Sequence, residues 1–270
     1  VLGHPSALPV QGEVYGFPPF WPDAFTPEPA ALADLRALCE DVSARFTSEW
    51  NRTVRALDPS AVETADAFAE HGSTVLYNYP AQLAADDGRT LPPHAFLGST
   101  RRIEPVEEDV ERWIAHAGEY VYVSFGTFLS VRGDVLSRVA EALAASGLSA
   151  AIATGSTPAS DLGPIPDGWL VRDYLPQVRL LQGASLAVTH GGNNSVTEAI
   201  GAGVPLLVLP FSTDQFAGAA AVERAGLGRA LAPNTATVTE LAGALHDLQG
   251  MPGARARLRD IAAEQAARPG

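Results

Sequence analysis

Residues Thr189 to Gln215 read THGGNNSVTEAIGAGVPLLVLPFSTDQ. The run Leu186–Thr189 reads as a buried strand, and a glycine pair turns it into a helix opened by Asn194 and Ser195. A strand entering a helix through small residues leaves backbone N–H groups at the positive end of a helix dipole, which suits phosphate. The same stretch places an imidazole, two amides, a hydroxyl and a carboxylate at that junction, with an acid and an amide just past the next strand, Leu206–Leu209. That is the inventory of a nucleotide-sugar site.

The rhythm around this stretch is regular. Tyr120–Phe125, Ala150–Ala153, Trp169–Val171 and Gly228–Leu231 are further strand candidates, and a helix is expected over Gly133–Ala145. Strands that are apolar throughout and alternate with helices form a parallel sheet covered on both faces. The second half is therefore expected to be an α/β doubly wound, Rossmann-like domain, with its ligand beyond the carboxyl ends of the strands.

The first half differs. Tyr15, Phe17, Phe20, Trp21 and Phe25 lie among Pro18, Pro19 and Pro22, which reads as a loop packed on other structure. From Glu28, the spacing of Leu32, Leu35, Cys39, Val42 and Phe46 predicts one long amphipathic helix to about Leu57, with Pro59 just beyond it. Thr74–Tyr77 and Ala95–Leu97 are short strand candidates. The acids of Ala85-Asp86-Asp87-Gly88 between them read as a solvated turn rather than a metal site. Glu104–Asp109 is acidic, contains Pro105, and reads as a linker.

Composition excludes several classes of function. The net charge of -13 argues against nucleic acid and anionic membrane as partners. All 18 basic residues are arginine, a coding bias rather than chemistry. The single cysteine, Cys39, allows neither a disulfide framework nor a metal cluster. No run approaches the ~18 apolar residues of a membrane helix, and no signal peptide is visible, so a cytoplasmic location is expected. The opening Val1-Leu2-Gly3 reads as the interior of a longer protein.

Most site residues carry two readings. His190 can bond a phosphate oxygen and steady the charge on a leaving diphosphate, or it can be a strand-end histidine satisfied by backbone. Gly191 and Gly192 allow a tight turn and close approach of a phosphate, with Asn194 and Ser195 donating beyond them. Glu198 completes S-x-x-E, a capping box on Ser195, or accepts from ribose hydroxyls. Asp214 is a sugar ligand or a helix N-cap; Gln215, for which the sequence offers no capping role, is a sugar ligand. Tyr174 can stack on a base or fill the core, and Gln177 or nearby backbone can read the base edge. Gly126 and Thr127 form a second small-residue turn fitted to phosphate.

The pieces VYVSFGT, YLPQ, THGGNNSVTEA, GAGVP and PFSTDQ, spanning Val121 to Gln215, resemble the donor-binding signature of family 1 glycosyltransferases. That group includes bacterial antibiotic and macrolide glycosyltransferases, plant glucosyltransferases and animal glucuronosyltransferases. The resemblance implies GT-B architecture, with two Rossmann-like domains facing each other across a cleft. It implies a base site at Tyr174, Leu175 and Gln177, a diphosphate site at His190, Asn194 and Ser195, a ribose site at Glu198 and a sugar site at Asp214 and Gln215. Tyr174 stands where the family more often has tryptophan. Glu198 favours a UDP-ribose over a deoxyribose donor, and Asp214-Gln215 a glucose-like pyranose.

Under that resemblance, residues 1–104 are the remainder of the acceptor domain, 105–119 the linker, and 120–270 the donor domain. The expected activity is inverting, metal-independent and cofactor-free transfer of a sugar from UDP to a hydroxyl of a small apolar acceptor. The aromatic segment with Tyr15, Phe17, Phe20 and Trp21 would lie on the acceptor side, unless it only packs on its own domain. The family's catalytic N-terminal histidine has no counterpart before Val121, and His4 stands at the wrong position, so the base is expected outside this chain. The end of the chain, Ala267–Gly270, is expected to stop before the family's last helix, which crosses back onto the first domain. The alternatives are a nucleotide-sugar-binding subunit needing a separate acceptor-domain partner, and a sugar-nucleotide epimerase.

Overall fold

Strand Tyr120–Ser124 (β3) is buried along its whole length, and its side chains alternate between two separate apolar layers. Val121 and Val123 face helices α3 (Gly133–Ala145) and α7 (Val238–Gln249); Tyr120 and Tyr122 face the opposite layer. The computed structural model describes residues 13–69, 72–84, 88–98, 102–126, 132–212 and 214–267. With β4 (Ser149–Ala153), β5 (Leu170–Arg172), β6 (Leu186–Thr189), β7 (Leu206–Val208) and β8 (Gly228–Ala230), β3 builds a six-stranded sheet in the order β5-β4-β3-β6-β7-β8. All five pairings are parallel. The order reverses between β3 and β6, where Ser124 pairs with Thr189 at the carboxyl ends. Such a reversal opens a crevice at the top of the sheet. The expected doubly wound domain is present.

The opposite layer holds α4 (Gln177–Leu181), α5 (Asn193–Gly201), α6 (Asp214–Arg224) and α8 (Pro252–Ala267). It also takes in Val75 and Tyr77 of β1 (Val75–Tyr77), which pairs in parallel with β2 (His94–Phe96). The small sheet therefore shares a continuous core with the large one. Helix α8 packs along this shared core. Leu258 and Ile261 are buried in the shared core, and Glu264 accepts from Gln82 beside the small sheet.

Helix α1 spans Pro29–Leu57, with proline in the first turn where its missing N–H costs nothing. Its apolar stripe is largely uncovered. Leu38, Val42, Phe46 and Trp50 stay 43% to 57% exposed, although Phe46 stacks on Phe68. The segment expected as a linker is helical over Glu108–Ala117 (α2). Its acids clamp it to the large domain: Glu111 takes both N–H arms of Arg179 at 2.6 and 2.7 Å, and Arg172 bridges Glu107 and Asp109. Among the described residues no helix is long and apolar enough to cross a membrane. His4, Asp86, Asp87 and Thr127 lie outside the described residues.

Candidate donor-binding site

The site grows from the ends of β3 and β6. After β6, His190 enters the crevice, and Gly191 turns the chain with φ 89°. A side chain at Gly191 would meet Val208 Cγ1 at 2.8 Å, so space and backbone both require glycine there. Gly192 has an ordinary φ of -62° and caps α5. Its demand is steric: a Cβ at Gly192 would lie 2.8 Å from His190 Cε1 and closer still to Nε2. Gly126, at φ 66°, flanks the same ring, and a Cβ there would meet Cε1 at 3.0 Å. Two glycines thus make a slot for one imidazole.

Burial in that slot lowers the His190 pKa to about 4, against the raising effects of Asp214 and of a hydrogen bond to the Ser124 backbone. The free site therefore holds a neutral ring, with one N–H given to the Ser124 carbonyl. No side chain caps α5. The amides of its first turn, at Asn193, Asn194 and Ser195, stand at the positive end of the helix beside the ring.

These groups line one cavity of about 590 Å³. Its lining includes Gly126, His190, Gly192, Asn194 and Ser195, together with Tyr174, Leu175 and Gln177. Eight of the residues read from the sequence as base or phosphate contacts thus come together. Tyr174 is 60% exposed, which overturns the core reading of its ring. Leu175 is buried beneath it.

Glu198 forms no capping box. The N-cap is Gly192, Glu198 falls in the second turn of α5, and no side-chain cap occurs. Its buried carboxylate takes two bonds from Arg102, at 2.7 and 2.9 Å, and one from Gln177. Gln177 in turn accepts from the Tyr122 hydroxyl at 3.4 Å, a phenol whose pKa burial raises. Arg102, Gln177 and Tyr122 line the cavity with Glu198 behind them. Glu104, from the acidic stretch read as a linker, also lines it.

Residues 77–252 match the sequence model of the family described as UDP-glucoronosyl and UDP-glucosyl transferase. The chain belongs to this family. It is 31% identical over 216 residues to the oleandomycin glycosyltransferase of Streptomyces antibioticus, covering 76% of this chain and 48% of that protein. It is 33% identical over 236 residues to the demethyllactenocin mycarosyltransferase of Streptomyces fradiae, covering 84% and 46%. Among solved structures, the glycotransferase of kitacinnamycin superposes with a TM-score of 0.68 at 26% identity, covering 87% of this chain and 63% of that one. The chain thus spans about half the length of these two relatives, and its fold is that of GT-B glycosyltransferases.

Neither Asp214 nor Gln215 lines the cavity of this UDP-glycosyltransferase family chain. Asp214 is the first residue of α6 and acts electrostatically on His190. Gln215 does have a structural role: its buried carbonyl accepts the backbone N–H groups of Phe211 and Ser212, at 2.9 and 3.2 Å, and holds the turn before α6. The aromatic segment is used in packing. Tyr15 stacks on Phe68 at 3.8 Å, Phe17 lies under Arg36 and Phe20 under Arg224. Trp21 packs 4.8 Å from Phe216, next in sequence to Gln215. None of these four aromatics lines the cavity. The lining residues missed from the sequence include Asn78, Arg102, Glu104, Tyr122, Asp173 and Asn193; Asn193 donates to the Asn78 carbonyl at 3.1 Å.

Proposed function

We propose that this chain holds the donor half of an inverting, metal-independent glycosyltransferase that moves a glucose-like sugar from UDP to a hydroxyl of a small apolar acceptor. The observation that carries the reading is the His190 imidazole, slotted between Gly126 and Gly192 beside the uncapped first turn of α5, at the strand-order reversal. A diphosphate there meets helix amides and a ring already oriented, so charge growing on the leaving oxygen is met by fixed dipoles. Tyr174 offers an exposed face to a pyrimidine, and the Leu175 backbone lies within reach of its edge. Asp214, close to His190 at the head of α6, would take sugar hydroxyls. The apolar acceptor is supported by the relatives named for oleandomycin and demethyllactenocin.

Among the described residues, His190 is the one imidazole lining the cavity. With that ring assigned to the leaving group, the 270-residue chain is expected to bind donor and turn over slowly. Calorimetry with UDP tests the site: the wild-type chain should bind it, and absence of binding removes the proposal. Tyr174→Ala should weaken UDP about 5- to 100-fold, the worth of one base on one ring. Its thermal midpoint should barely move, because the ring is exposed. An unchanged affinity would place the base elsewhere.

A further inference from the structure

The carboxylate of Glu198 is walled off from the cavity. Its side chain is only 6% exposed, and it lies behind Arg102 and Gln177, which do line the cavity. Arg102 closes on it with two arms, Nε to Oε1 at 2.7 Å and a terminal nitrogen to Oε2 at 2.9 Å, while Gln177 donates a third bond to Oε2. A carboxylate accepts about four such bonds, so little of this one is left for a ligand. The Arg102 side chain is 46% exposed, so its guanidinium borders on solvent and has room to move. Beside it stands a second carboxylate. Glu104 lines the cavity with a side chain 9% exposed. Its Oε2 accepts the backbone N–H of Arg179 at 3.2 Å, whereas Oε1 is buried and has no hydrogen-bond partner. That oxygen lies 3.7 Å from the Arg102 guanidinium, just beyond a hydrogen bond. A buried carboxylate oxygen without a donor is costly, and the donor that would satisfy this one is a short movement away.

Resting on the donor-site reading above, with Glu198 as the acceptor for ribose hydroxyls, we infer that Arg102 is a two-position latch. It closes over Glu198 in the free chain and swings onto Glu104 when the ribose of the nucleotide takes its place. The exchange is nearly balanced. Ribose hydroxyls replace the guanidinium N–H groups at Glu198, so that buried carboxylate keeps its donors. The guanidinium keeps a carboxylate partner, and Oε1 of Glu104 gains the donor it lacks. No buried charge is left without a hydrogen bond. The latch still lowers affinity, because the nucleotide binds only the open arrangement and its apparent Kd rises as the open fraction falls. Glu104 sets that fraction: the better it holds Arg102, the smaller the cost of opening. Glu104 is thus a positioning residue that acts through Arg102.

Calorimetry with UDP and NMR on the 270-residue chain test the latch. Arg102→Met keeps the stem and deletes the guanidinium, and should bind UDP about threefold or more tightly than the wild type, because nothing has to open. Arg102→Lys keeps the charge without the fork and should show a smaller gain in the same direction. It guards against misfolding of Arg102→Met. Glu104→Gln removes the charged resting place and should bind UDP about threefold or more weakly. That loss should vanish in the Arg102→Met background, because the two residues act as one unit. The Arg102 Nε–H resonance, identified by its absence from Arg102→Lys, should move on saturation with UDP. It should stay in place with inorganic diphosphate, which brings no ribose. An unchanged or weaker UDP affinity in both Arg102 variants overturns the latch and leaves the donor site standing, as does a resonance unmoved by UDP. A Glu104→Gln loss that persists in the Arg102→Met background overturns it in favour of direct contact between Glu104 and the nucleotide. A shift produced by diphosphate alone overturns it in favour of a phosphate contact for Arg102. Failure of the wild type and every variant to bind UDP removes the donor-site reading and the latch together.

Discussion

A Gly192→Ala variant is expected to bind UDP about 10- to 150-fold more weakly than the wild type, the worth of one hydrogen bond to a charged group. The backbone at Gly192 would accept alanine without strain, since its φ is -62°. The obstacle is the His190 ring, whose Cε1 would lie 2.8 Å from the new methyl, with Nε2 nearer still. The ring has little room to retreat, because Gly126 also lies against it. Either the imidazole leaves the crevice or α5 shifts with its first-turn amides, and both outcomes dismantle the phosphate site. Calorimetry with UDP reads the loss, and thermal melting reads any damage to the fold. Gly253→Ala in α8 is the matched control: nothing lies within 4 Å of its would-be side chain, so UDP affinity should not change. Wild-type affinity in a folded Gly192→Ala would show that the imidazole is not part of the phosphate site.

That steric role was hidden in the sequence, where both glycines after His190 read as conformational devices. Only Gly191 has the positive φ that such a reading requires; Gly192 is small to make room for its neighbour. The sheet was legible because its central strands β3, β6 and β7 are short and buried along their whole length, as helices on both faces require. The cavity was legible where its residues sit on the turns that end β6 and open α5, or where β5 gives way to α4. It was not legible at Arg102 and Glu104. A glutamate in a run of acids looks solvated, and nothing local marks the one whose carboxylate is buried against the first turn of α4. Gln215 misled in the opposite sense. It looked free for a sugar, whereas its carbonyl holds the turn before α6 through bonds three and four residues back. The apolar stripe of α1 was read correctly as helical, but periodicity says nothing about what covers it.

His190 should also give the site its strongest pH dependence. Burial holds its folded-state pKa at about 4, below the ordinary 6.5. Above pH 6.5 the ring is neutral in both folded and unfolded chains and contributes nothing. Between pH 6.5 and 4 the unfolded chain takes up a proton that the folded chain refuses, so stability falls as the pH falls. Below about 4 the loss is complete, at about 3 kcal/mol. A His190→Asn variant lacks this loss, while carboxylates elsewhere titrate in both proteins and cancel. The wild type should therefore lose about 2 to 3 kcal/mol relative to the variant between pH 7 and 4 in urea unfolding. UDP should oppose this. The diphosphate charge favours the protonated ring, which donates from both nitrogens. The His190 Cε1 proton, followed by NMR, should titrate near pH 4 in the free chain and at least one unit higher in the UDP complex. A titration unmoved by saturating UDP would mean that the diphosphate does not reach this ring, and the leaving-group role would pass to the α5 amides alone.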